Sequence, residues 1–106
     1  MVGCYEPDAD RASDPSDVVA GCIESGSRAV LLDEGVAPAG FFDLSSRVAG
    51  ELLHGLGKYG IRLAVVVSDA SAHSSSFQDF AREANRRGDY RFFPTRDEAL
   101  GWLEQR

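Results

Sequence analysis

The sequence predicts an α/β domain, with a sheet of roughly four or five strands, mainly parallel in its middle, packed by about four helices. Three observations carry this. Ala29 to Leu32 and Ile61 to Val67 are continuous apolar runs, the pattern of strands covered on both faces. The stretch between them has helical periodicity and is long enough for a crossover, so the two strands run parallel and end on one rim. Beyond Val67 the alternation of helix and strand signals continues, and 106 residues suit one compact domain whose core needs no disulfide or metal. The expected domain is single, residues 1–106, with 1–13 as a short edge strand or loop.

Each element has its own signal. Val2 to Tyr5 is a brief apolar run followed by Pro7, Asp8 and Asp10, which suits no more than a short edge strand and a loop. Asp14 before Pro15 reads as an N-cap with proline at the first helical position, and Val19, Cys22 and Ile23 share a face before Gly26 stops this first helix. Ala29 to Leu32 follows as a central parallel strand, closed by Asp33, Glu34 and Gly35.

After the Pro38-Ala39-Gly40 turn, Asp43 is placed to cap a long second helix. Its Leu44, Val48, Ala49, Leu52, Leu53, Leu56 and Tyr59 fall within about half of the circumference, with Ser45 on the same arc. Arg47, Glu51, His54 and Lys58 form the opposite ridge, and Gly60 ends the helix. Ile61 to Val67 is the second buried strand. Ser74 or Ser75 opens a third helix with Phe77, Phe80, Ala81 and Ala84 at i, i+3, i+4 and i+7, ending at Arg86, Arg87 and Gly88. Tyr90 to Phe93 is a last strand, and Thr95 with Glu98 forms a capping box for a final helix that buries Ala99, Leu100, Trp102 and Leu103.

Composition narrows the function classes. With 17 acidic against 11 basic side chains and a formal net charge of -6, the molecule's field repels phosphate backbones and anionic lipid. Neither nucleic acid nor a membrane is an expected partner. Cys4 and Cys22 form no CxxC pair and are too few for a secreted disulfide scaffold, which predicts reduced thiols and a cytoplasmic location. No apolar stretch approaches the roughly 20 residues of a membrane helix, and the first residues lack the pattern of a signal peptide.

The strand ends gather Asp33, Glu34, Asp43, Ser45, Ser46, Asp69 and His73. Open α/β sheets bind ligands just beyond the carboxyl ends of their strands, so function is expected there. For catalysis the best constellation is His73 with Asp69 or Glu34, since a histidine held by a carboxylate can move protons near neutral pH, and Ser45 or Ser71 would then be the nucleophile. Against it, no GxSxG elbow is present, and the small or acidic residues from Ser68 to Ser76 predict an open loop with a solvent-facing His73. Glu51 and His54 have the spacing of half a di-iron helix pair, but a second copy is absent and a solvated ridge accounts for them, so no metal is expected. No Gly-rich phosphate loop follows a strand, Phe92, Phe93 and Trp102 read as core, and no cofactor is implied.

The run Phe41-Phe42-Asp43-Leu44, then Ala49-Gly50-Glu51, Tyr59, Leu63 to Val66, and Phe80 with Glu83 and Asn85 resembles a bacterial family, domain of unknown function 4180, from about Arg28 onward. The chain departs from that pattern at Arg47, where glycine is expected, at His54 and Gly55, and at Val67-Ser68 in place of Gly-Asp. The order of elements also looks like the STAS domain of anti-sigma-factor antagonists, in which a helix after a buried strand begins with Asp-Ser-Ser-Gly and one serine accepts phosphate. Asp43 to Arg47 occupies that place. The resemblance implies a STAS-like architecture and makes Asp43, Ser45, Ser46 and Arg47 a partner-binding or phosphoacceptor surface, although capping is the commoner use of such residues.

Two functions are therefore expected to compete. One is a non-enzymatic regulatory or protein-interaction module docking through the helix-start rim, with a protein partner favoured over a small molecule. The other is a small enzyme or ligand-binding protein of a bacterial, for example biosynthetic, pathway using His73 with Asp69 or Glu34. The oligomeric state has no sequence signal.

Overall fold

Four short strands, each too short to stand alone, lie side by side in the order in which they are synthesised. The computed structural model describes residues 4–7, 14–38, 40–43, 46–69, 73–87 and 90–104. Along the chain come β1 (Cys4–Tyr5), α1 (Pro15–Glu24), β2 (Ala29–Asp33), α2 (Val48–Lys58), β3 (Arg62–Val66), α3 (Ser75–Arg87), β4 (Tyr90–Phe93) and α4 (Arg96–Glu104). The sheet order is β1-β2-β3-β4 and each neighbouring pair is parallel, with Leu31 opposite Ala64 and Val65 opposite Phe92. This is the α/β class expected from the sequence.

The two-residue period of the strands divides the core in two. Val30, Leu32, Leu63, Val65 and Val67 point to one face and pack with Val18 and Cys22 of α1, Leu52 and Leu56 of α2, and Phe77 and Ala81 of α3. Leu31, Ala64 and Val66 point to the other and meet Ala99 and Trp102 of α4. Right-handed connections between parallel strands laid down in sequence order carry every connecting helix to the same face. Among the described elements only α4, which follows the last strand, covers the back. There the Arg62 guanidinium lies 4.2 Å above the Trp102 ring and donates to the Trp102 carbonyl at 3.1 Å, so an arginine stem and a stacked cation help roof this face.

Helix ends follow local chemistry. The Asp14 side chain accepts from the Ser16 backbone N–H at 2.9 Å, with Pro15 at the first position of α1. Ser74 Oγ accepts from Phe77 N–H at 3.1 Å at the start of α3, and Thr95 and Glu98 bond to each other at the start of α4. Both α1 and α2 close in the same way. Gly26 and Gly60 take left-handed backbones with φ of 72° and 68°, and the following residues, Ser27 and Ile61, donate back to Cys22 O and Leu56 O, the Schellman arrangement.

The second helix departs from the sequence reading at both ends. It starts at Val48, so Asp43 does not cap it. Phe41 alone of residues 40–43 is fully buried, and the backbone turns tightly around it, with Phe41 N–H bonded to Pro38 O and Asp43 N–H to Gly40 O. Leu44 and Ser45 lie outside the described residues. At the other end Tyr59 is the C-cap, with a non-helical φ of -108°, and its side chain leaves the inward face and stands 58% exposed. Ala49, Leu52 and Leu56 fill the core as expected.

Candidate functional site

Glu34 follows β2, Ser68 follows β3, and His73 precedes α3. The parallel sheet thus brings all three to the carboxyl rim. Glu34 N–H continues the ladder by bonding to Val66 O at 3.0 Å, which fixes the backbone from which its carboxylate reaches across. That carboxylate accepts from Ser68 Oγ at 2.8 Å and Ser68 N–H at 3.1 Å through Oε1, and its Oε2 lies 3.3 Å from His73 Nε2. One carboxylate therefore ties two strand-end loops together.

The Ser68 hydroxyl, then the Ser68 N–H, and to a lesser degree His73, hold the Glu34 carboxyl below the usual carboxylate range against the opposing effect of burial. His73 is not the open loop residue that the composition of Ser68 to Ser76 predicts. Its side chain is 20% exposed, its ring stacks on Phe42 with centroids 4.4 Å apart, and Phe77 lies 5.1 Å away. Gln78 Nε2 also donates to the His73 carbonyl at 2.9 Å. Composition misled because the covering rings come from elsewhere in the chain, Phe42 from the β2–α2 connection and Phe77 from α3. Glu34 is thus within hydrogen-bond distance of His73, and Asp69, the other carboxylate expected beside it, is exposed. Ser71 lies outside the described residues.

The second cluster is the start of α2. Asp43, Ser46 and Arg47 are all exposed. Ser46 Oγ lies 2.6 Å from Gly40 O and 2.7 Å from Asp43 O as donor, and accepts from Val48 N–H at 3.2 Å. A phosphate there would remove the donated proton and set negative charge against carbonyl oxygens. Arg47 is the N-cap, with a left-handed φ of 66° and no side-chain cap bond. It is the one non-glycine residue with positive φ among the described residues, a conformation that favours glycine. Ser45, the remaining member of the expected rim, lies outside the described residues.

Chemically, Glu34 and His73 form a carboxylate–imidazole pair able to orient a proton carrier. The Ser68 hydroxyl is already committed to Glu34, so it is not placed as a nucleophile. Among the described residues no group of three or more His, Cys, Asp or Glu is placed to hold a metal ion. Nor is any described helix long and apolar enough to cross a membrane.

Fold and rim together define a parallel four-stranded α/β domain with polar residues from successive strand ends converging on one edge. Within that class the chain belongs to the family described as domain of unknown function (DUF4180), which matches residues 5–103. No curated protein and no solved structure matches the chain.

Proposed function

We propose that the domain is a non-enzymatic regulatory module of STAS-like type that docks a protein partner through the helix-start rim of Asp43, Ser45, Ser46 and Arg47. The observation that carries this reading is Arg47, exposed and held in a left-handed backbone. Such strain costs on the order of 1–3 kcal/mol and clusters where a side chain has work to do. No ion pair ties Arg47 to a described carboxylate, so its charge is available to a partner. A cytoplasmic, bacterial setting belongs to the same reading, supported by the free thiols of Cys4 and Cys22.

The test places a photo-crosslinking side chain at Arg47 and, in a separate protein, at Lys58 on the far end of the same helix. A protein captured from Arg47 but not from Lys58 is then measured directly. Charge reversal by Arg47→Glu should weaken its binding at least tenfold, an estimate of about 1.4 kcal/mol, whereas His73→Ala should leave it unchanged. Equal capture from both positions would sink the rim as a docking surface.

A second reading rests on the Glu34–His73 pair, whose 3.3 Å separation and aromatic shielding suit acid–base work in a small enzyme or ligand-binding protein. Under that reading His73→Ala removes turnover while the fold persists. Under the first it is functionally silent.

A further inference from the structure

The ridge of α2 that the sequence assigns to solvent is one wall of a groove. Arg47, Ala49, Gly50, Glu51 and His54 line it from α2, and Phe80 lines it from α3, bordering a wide-mouthed space of about 600 Å³ that is largely open to solvent. That size is ordinary for a small-molecule site. We propose that this groove binds a small apolar carboxylate, its apolar body lying over Gly50 and Phe80 and its carboxylate on Arg47.

Three locally unfavourable choices converge on this groove. Arg47 holds a left-handed backbone that glycine would adopt without strain. Gly50 sits inside a helix, where alanine would be more stable, and a Cβ built on it meets no atom within 4 Å, so packing does not require the glycine. Finally, Arg47 has no ion pair among the described residues, on a chain of net charge -6. Local rules are broken together where function asks for it, and here the breaches leave the groove open over Gly50 and set a guanidinium at one end of it. Arginine pairs with a carboxylate through charge-assisted, often bidentate hydrogen bonds.

The remaining charges set the polarity of the ligand. Glu51 lies one turn from Arg47 on the same wall, so a second negative charge on the ligand is disfavoured. His54 lies two turns from Arg47, about 10 Å along the axis at 1.5 Å per residue, and marks the far end. The occupant is therefore a monocarboxylate with an apolar body of roughly that length. This site shares Arg47 with the docking surface but does not depend on a protein partner, and Gly50 separates the two.

The test is an NMR titration of the full chain with naphthoate and octanoate, and with naphthamide as the uncharged control. Saturable shifts are expected at the amides of Gly50, Glu51 and His54, with naphthamide weaker by at least about tenfold. Gly50→Leu should fill the groove and abolish binding at an equal or higher melting temperature, which shows that the fold survives. Arg47→Gly should weaken naphthoate but not naphthamide. Failure of both acids to saturate at millimolar concentration, equal binding of acid and amide, or intact binding in Gly50→Leu would each overturn the proposal. So would concentration-dependent dimerisation that Gly50→Leu removes, since the groove would then belong to a second copy. Crosslinking from Arg47 that persists in Gly50→Leu would leave the docking surface standing after such a failure.

Discussion

Arg47 and Gly60 bound the same helix with nearly the same backbone angle, φ of 66° and 68°, yet one is the bulkiest cation and the other has no side chain. At Gly60 the left-handed turn completes a Schellman cap, with Ile61 N–H on Leu56 O, and nothing lies within 4 Å of where a side chain would begin. Only the backbone matters there, and glycine serves it without strain. At Arg47 no side-chain cap bond forms, so the same geometry is kept with a side chain that does not cap the helix. The contrast locates where this chain gives up stability for chemistry. It is the end of α2 that meets the strand-end rim.

The largest test asks whether both ends hang on one rigid body. Leu52, fully buried at the middle of α2, should cost roughly 2–5 kcal/mol on conversion to alanine. A small loss in denaturant midpoint would mean that the helix is loosely seated and that its two ends cannot be compared. Next, Gly60→Ala should destabilise by about 1–2 kcal/mol from backbone strain alone, since no clash awaits its Cβ. Arg47→Gly should move the other way, gaining about 0.5–1 kcal/mol in chemical denaturation. Loss of stability in both variants would break the contrast, because Arg47 would then be supporting the helix.

A pH experiment sharpens it from the rim side. Glu34 has its folded pKa lowered, chiefly by the Ser68 hydroxyl and N–H. Its contribution is therefore complete above the unfolded value of about 4.3 and is lost as pH falls through the lower folded value. The difference in melting temperature between the parent and Glu34→Gln should close in that acid window. A gap that persists at the lowest pH would mean the carboxylate is not the source of the linkage. Lys58, exposed in the last turn of α2, should change stability by no more than about 0.5 kcal/mol when replaced by alanine.

The sequence made the fold readable where the deciding interactions are local. Asp14 and Pro15, Ser74, and Thr95 with Glu98 start their helices as their residue types suggest, and Gly26 and Gly60 end theirs. The start of α2 was not readable in this way. Asp43 is a good capping residue, but the burial of Phe41 and the anchoring of Ser46 Oγ on Gly40 O insert another turn before the helix. Nothing in the neighbouring residue types announces that. His73 failed to be legible for a related reason, because the ring that shields it belongs to Phe42, distant in sequence. Residues that share a rim can be grouped from topology, but which carboxylate reaches the histidine depends on loop paths that only tertiary packing sets. The groove was hidden likewise: helical spacing puts Arg47, Gly50 and His54 on one ridge, and says nothing about the gap to Phe80 across from it.

Strand order that equals chain order has a consequence for how this molecule is assembled as it is made. Each new strand finds its neighbour already present, one connecting helix upstream, so pairing never waits for a distant partner and loop closure stays short. The helix-packed side can grow by accretion in this way. The opposite side cannot, because Leu31, Ala64 and Val66 stay uncovered until Ala99 and Trp102 emerge after all four strands. A nascent chain halted before α4 would thus present a nearly complete sheet with one bare apolar face. That is the intermediate on which a chaperone would be expected to act.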